Sequence, residues 1–492
     1  MLSKSKYLAG LQCELRVWNQ VHAKGLAPPP DAATQALFDA GTEVGERARG
    51  LFPGGVLVDE PAWCHSDAVR RTRRLVEDAS VPAIFEAAFE HAGVRIRVDI
   101  LERLSGGRWG LREVKSTTSV KDVHLDDLAV QLFVLEGAGL RVNGSELIHI
   151  DTTYVRGEDG IDWDRVFTRA DCTSALANQM QGLPERVDAL HSVLQQGEPP
   201  NIAPGYHCTV PYGCEFWDHC TREKPKDWIF HLPRLRRERF EEMQRAGHER
   251  IVDLPEDVGL TEQQARIRDV LQRGAAWISP DLEIALEGSG PPAYYLDFES
   301  AAPAIPLYPG TRPYQTVPFQ WSLHHVDSEL AVTHQAFLAE GAGDPRRKFC
   351  ETLIAALPSD RKPVLVYSAF EATRIRDMMG EFPDLANDLS GIRDRLFDLL
   401  PVVRRHTYHP GFAFSYSIKF VAPALVAGFG WDDLDTVSEG SAAAAAWPSL
   451  VRKRLAPAEA AATRKALLSY CERDTLALLE VHKALRRLAG RH

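Results

Sequence analysis

The 492-residue chain has no apolar run approaching the roughly 18 residues that a membrane-crossing helix needs, so no membrane partner is expected. Its opening, MLSKSKYLAGLQCELRVWNQ, shows neither a long apolar stretch nor a cleavage site. A secretory leader is therefore not expected, and the chain reads as cytoplasmic. Positive charge is also in short supply: 57 Lys and Arg stand against 68 Asp and Glu, a net charge of −11. A surface that holds nucleic acid by neutralising phosphates would have to be local. RRTRR at Arg70–Arg74 and RLRRER at Arg234–Arg239 are the candidate patches, and both read equally well as solvated helix faces. No repeat is visible, which argues against a solenoid. Cysteine is sparse at eight residues, and a disulfide framework does not suit a cytoplasmic chain. Their spacing is uneven, however. Cys208, Cys214 and Cys220 fall within thirteen residues, which points to a metal or cluster site.

What is present suits a large packed core. Hydrophobic residues make up 45% and charged residues 25%, with length enough for two or three domains. Residues 1 to about 50 read as helical. IFEAAFEHAGVRIRVDILERL then alternates as a β-hairpin, WGLREVKST continues as a strand, and LDDLAVQLFVLEGAGL follows as an amphipathic helix. SELIHIDTTYVRG is a further strand. PNIAPGYHCTVPYGCEFWDHC reads as a loop that closes a unit at 1–225, and 226–288 as a largely helical connector. From 289 to 492 a second α/β unit follows, with strands in AYYLDFES, PFQWSLHHVD and KPVLVYSAF. Helices take up the rest, including AAAAAW and the final stretch AEAAATRKALLSYCERDTLALLEVHKAL. The expected class is α/β in both halves.

In the first half, Asp99 ends an alternating strand, and Glu113 and Lys115 flank Val114 on the next. A period of two puts Glu113 and Lys115 on one face. Asp99 and Glu113 offer the hard oxygen ligands that Mg²⁺ or Mn²⁺ prefers, with Glu86 on the first hairpin strand as an additional ligand. Lys115 can orient or help deprotonate a water, and Gln131 on the following helix can hold the site by hydrogen bonds. A strand with solvent-facing charges would show the same spacing.

Taken together, Asp99, Glu113-Val114-Lys115 and Gln131 resemble the PD-(D/E)XK superfamily, in particular the RecB-like nucleases with CRISPR-associated members. LSKSKYLAGLQC is similar to the start of those proteins. The resemblance implies a restriction-endonuclease-like fold. Many relatives carry a metal-binding His on an early helix. GTEVGERAR has none here, and Glu46 is the nearest acid. Several relatives hold a [4Fe–4S] cluster with one cysteine before the nuclease core and three after it. Cys13, Cys208, Cys214 and Cys220 follow that order, although C-x5-C-x5-C has a longer first gap than theirs. The resemblance therefore implies an iron–sulfur cluster, with zinc or free buried thiols as the alternatives.

In the second half, Asp297 and Glu299 share one face of a strand, Tyr470 and Asp474 share one face of a helix, and Glu371 stands at a strand-to-helix junction between them. Four such acids can hold two metal ions, with Tyr470 orienting the attacking water. This ordered set resembles the DnaQ-like 3′–5′ exonucleases of the ribonuclease H fold, the DEDDy branch with tyrosine in its last motif. The middle acid in that branch is usually Asp. Glu371 takes its place here, and Asp398 in RLFDLLPVV competes for the role. SYSIKFVAPAL is similar to the segment before the last motif, where Lys419 would touch phosphate.

The two resemblances together imply a two-site, metal-dependent nuclease acting on DNA, single-stranded or end-bearing, in repair or phage defence. The alternatives are a ribonuclease, or a nuclease in which one half only binds nucleic acid.

Overall fold

In the computed structural model, residues 1–341, 343–434, 440–452 and 455–490 are described, and the architecture is mixed α/β. The chain divides into two compact units. Met1–Glu223 with Pro303–Gln315 form the first, and Lys224–Ala302 with Thr316–His492 form the second. The 226–288 stretch, expected as a connector, lies within the second unit. Its helices are Arg237–Arg245, Glu262–Arg273 and the short Leu282–Ala285.

The first unit is built on a seven-stranded sheet. Ala83–His91, Val94–Leu104 and Arg108–Lys115 form an antiparallel meander. Val142–Ile150 then pairs parallel to Arg108–Lys115, and Phe167–Asp171 closes that edge antiparallel. The first hairpin turns on Ala92 and Gly93, with φ of +47° and +71°. Positive φ at both central residues matches the twist of the flanking strands. The early sequence forms helices Lys4–Gln12, Glu14–His22 and Ala32–Ala48, as expected. Ser3 caps the first by accepting from the Lys6 amide at 3.3 Å.

The helix expected to be amphipathic, Asp122–Gly137, is buried nearly all round. Leu128, Ala129, Val130 and Gln131 are buried in succession, so no solvent face exists there. The reason is tertiary: the sheet covers one side, while Lys4–Gln12 and Leu176–Met180 cover others. A helix enclosed in this way is apolar over most of its circumference, with the buried Asp127 and Gln131 satisfied by polar partners. Each fully buried Leu or Val contributes about 1.5–3 kcal/mol relative to exposure.

The second unit holds a five-stranded sheet. Its order is Val332–Leu338, Val317–Val326, Ala293–Ala301, Val364–Val366 and Leu396–Asp398. The first three run antiparallel, and the last two are parallel to the central Ala293–Ala301. One face of the central strand, Tyr294, Leu296 and Phe298, packs with Trp321, Phe349, Leu353 and Ile375. The alternate residues Tyr295, Asp297 and Glu299 belong to the other face. The 32-residue helix Pro457–Leu488 packs along these strands. That interface is polar as well as apolar. Tyr295 Oη and Ser289 Oγ each lie 2.9 Å from a ring nitrogen of the buried His482, and Gln320 donates to the Leu467 carbonyl at 2.8 Å.

Candidate active sites

Strand alternation points Val114 into the core and sets Glu113 beside Lys115. Glu113 is fully buried, yet three side chains reach it. Lys115 Nζ lies 2.6 Å and Lys4 Nζ 2.9 Å from Oε1, and Gln131 donates to Oε2 at 2.7 Å. Asp99 is fixed by its Oδ2, which accepts the Val114 amide at 2.8 Å. A further participant was not singled out in the sequence. Asp127 stands one helical turn before Gln131, accepts from its amide at 2.9 Å and meets Lys115 at 2.7 Å and Lys4 at 3.5 Å. The i,i+4 spacing in LDDLAVQ was its only sequence signal. Lys4 had none beyond its place in the similar opening segment.

The electrostatics follow from burial. Desolvation opposes ionisation of Glu113, but the ammonium groups of Lys115 and Lys4 outweigh it and hold that carboxyl well below its usual range. Asp99 is pushed up to about 7, first by burial and then by the Glu113 charge. Asp127 is raised by the same two causes. Three carboxyls thus share two ammonium groups, and their oxygens suit a hard divalent ion.

Lys4, Glu86, Asp99, Glu113 and Lys115 line one cleft of about 350 Å³. Glu86 lies between the ladder pairs Phe85–Ile100 and Ala87–Val98 and is paired with Arg49 at 3.1 Å. Its φ of +54° is left-handed, a conformation that costs a non-glycine residue about 1–3 kcal/mol and that clusters at functional sites. Glu46 is exposed and is not part of the lining. The helix Ala32–Ala48 presents Gly41, Thr42 and Gly45 to the cleft instead.

In the second unit, Asp297 and Glu299 lie on the central strand, and a ligand atom of each falls within 4.8 Å of the other and of Cys471 Sγ. Cys471 also contacts Asp297 Oδ2 at 3.5 Å. Glu371, in the first turn of Phe370–Glu381, is buried and has Ser368 Oγ 3.4 Å from its Oε2. Asp474 Oδ1 accepts from Lys419 Nζ at 2.6 Å and from Trp431 Nε1 at 2.7 Å. Lys419 lies 4.0 Å from the Trp431 ring and 4.2 Å from the Tyr470 ring, so its charge is already engaged. Asp297 is pushed up to about 8, first by burial and then by Asp474. Glu299 is raised by burial and Asp297, and Glu371 by the same two. Burial and Asp474 raise Tyr470, which stays a protonated hydrogen-bond donor. Asp398, whose charge also raises Glu371, has a capping role. Its Oδ1 accepts the Leu400 amide at 2.9 Å and caps the helix Leu399–His406.

The four cysteines also converge. Cys13, Cys208, Cys214 and Cys220 line one small pocket with Ile202, Pro204 and Phe216. All are free thiols. Burial raises Cys208, Cys220 and Cys214, the last to about 11. A four-cysteine ligand set in a largely apolar pocket fits an iron–sulfur cluster, and Arg16 in the lining is paired with Glu215 at 2.8 Å. Four of the eight arginines in the basic runs, by contrast, are paired with local acids. Arg70 pairs with Asp67, Arg71 with Asp59 and Glu60, Arg237 with Glu241 at 2.7 Å and Arg239 with Glu242 at 2.6 Å.

A family model described as "Domain of unknown function (DUF2779)" matches residues 294–417. That span includes Asp297, Glu299, Glu371 and Asp398, and ends before Lys419, Tyr470 and Asp474. No curated protein matches the chain. Among solved structures, the crystal structure of SSO0001 is similar over 45% of this chain and 86% of that one, at 15% identity and a TM-score of 0.20. Among the described residues, no helix is long and apolar enough to cross a membrane.

Proposed function

We propose that the chain is a metal-dependent nuclease with two active sites, one in each unit, hydrolysing phosphodiester bonds of DNA. The carrying observation is the gathering of Asp297, Glu299 and Asp474 about the Lys419 ammonium, with Glu371 beside Asp297. Buried carboxylates this close either share protons or bind cations, and divalent ions satisfy them while leaving them ionised. Mg²⁺ or Mn²⁺, when bound, supplies charge stabilisation at the transferring phosphoryl group and makes its water more acidic. The protein's own residues do the rest. Asp297, Glu299, Glu371 and Asp474 hold the ions, Tyr470 donates a hydrogen bond that orients the attacking water, and Lys419 fixes Asp474.

In the first unit Asp99 and Glu113 hold the ion, with Glu86 and Asp127 as further oxygen donors at or beside it. Lys115 orients the water, and Gln131 fixes the Glu113 carboxylate. Cys13, Cys208, Cys214 and Cys220 hold a [4Fe–4S] cluster that ties the start of this unit to residues near its end.

The test uses the full chain on 5′- and 3′-labelled DNA and RNA of one sequence, single- and double-stranded, with Mg²⁺ or Mn²⁺. Lys115→Ala should remove one activity and spare 3′-end trimming, Asp297→Asn should do the reverse, and the double variant should leave nothing. Each loss should be at least about 100-fold, the scale of several kcal/mol of metal-derived stabilisation. Folded wild-type protein that cleaves none of these substrates would overturn the reading.

A further inference from the structure

Away from the carboxylate cluster, the second unit contains a group of three side chains with a different chemistry. His324 and His334 are direct cross-strand partners on Val317–Val326 and Val332–Leu338. Their rings lie 4.6 Å apart. Glu472, on the long helix Pro457–Leu488, reaches His334 Nδ1 at 3.6 Å. One ligand atom from each of the three falls within 4.8 Å of the other two.

The remaining ring nitrogens are held by hydroxyls. His324 Nδ1 lies 2.8 Å from Thr475 Oγ1, and His334 Nε2 lies 2.9 Å from Ser322 Oγ. Ser322 and Thr475 are joined to each other at 2.8 Å. This buried hydroxyl pair fixes the orientation of both rings, with Nδ1 of His334 facing Glu472 and Nε2 as the remaining nitrogen of His324. Metal-bound histidines are commonly held through their second nitrogen in this way.

We infer that His324, His334 and Glu472 form a binding site for a divalent transition ion of the zinc type. Two imidazoles and one carboxylate suit zinc better than magnesium or calcium, which prefer oxygen alone. Three protein ligands, one of them on the exposed Glu472, leave a coordination position for water. The ion would pin the sheet-edge strand Val332–Leu338 to the helix that carries Tyr470 and Asp474. The inference does not rest on the nuclease reading, because it uses none of that site's acids.

The experiment is a zinc titration of chelator-treated full-length protein in millimolar Mg²⁺, read with a competing chromophoric chelator. Wild type should bind one more equivalent of zinc than His334→Ala. Glu472→Gln changes only an exposed side chain, so it tests the site without threatening the fold. It should bind that equivalent at least about tenfold more weakly, and Thr475→Val should weaken it about 10–100-fold by freeing the His324 ring. Asp297→Asn should keep the equivalent. Unchanged zinc stoichiometry and affinity in folded Glu472→Gln would overturn the inference.

Discussion

Lys4 places its ammonium 2.9 Å from Oε1 of Glu113, a residue 109 positions further along the chain. Lys115 occupies the other side of the same oxygen at 2.6 Å. One buried carboxylate is therefore held by two cations that the chain supplies from widely separated elements.

This pairing makes Lys4 a positioning residue for the first site. Lys4→Met should lower cleavage by that site about 10–100-fold and leave the Asp297 site untouched. The stability cost should approach the ~3–5 kcal/mol typical of stripping one partner from a buried ion pair, moderated by the remaining Lys115. Urea unfolding together with separate assays of the two activities would check both parts. Full first-site activity in Lys4→Met would show that Lys115 alone orders Glu113.

Glu371 and Asp398 should separate by phenotype. Glu371→Gln should abolish activity of the second site with little change in melting temperature, because its carboxyl joins the Asp297 group. Asp398→Asn should keep activity and lose at most ~1 kcal/mol, since asparagine also caps helices. Inactive but folded Asp398→Asn alongside active Glu371→Gln would reverse the assignment.

The cysteine pocket predicts a colour. Protein purified without oxygen should be brown, with iron and sulfide in equal amounts. Cys214→Ser should lose that absorbance and should melt earlier, because the tie between Cys13 and the 208–220 loop is gone. Stoichiometric zinc without iron would assign the pocket to a different metal.

His482 predicts a pH effect on stability. It is fully buried between Ser289 and Tyr295, and burial, then Arg486, lower it to about 3. The unfolded chain takes up a proton near pH 6.5, where the folded chain does not. Its contribution is therefore complete above about pH 6.5 and is lost progressively as pH falls toward 3. His482→Gln should be less stable at pH 7.5, and the gap to wild type should narrow by pH 5. A gap that stays constant with pH, measured on the second unit's unfolding transition, would contradict this.

Much of both sites was legible from local geometry. A period of two sets Glu113 with Lys115 and Asp297 with Glu299, and a period near four sets Tyr470 with Asp474. Those relations depend only on backbone repeat, and the strands and helices needed to express them were marked by their apolar patterns. The helix Asp122–Gly137 shows the limit. Its position was readable, but its nearly complete enclosure was not, because a run of apolar residues does not say how many neighbours will cover it.

What the sequence alone determined, then, is which residues share a face within one strand or one helix, since a few bond rotations repeat there. Only the tertiary structure decided which faces meet. It brought Lys4 and Asp127 to Glu113, set Glu371 beside Asp297 while Asp398 capped a helix, and paired His324 with His334 opposite Glu472. It also assigned Pro303–Gln315 to the first unit, where Ile305 is buried in the core and Tyr314 Oη meets Ser116 Oγ at 2.9 Å. These relations span tens to hundreds of residues, and the packing of whole elements selects them. No spacing in the sequence encodes that choice.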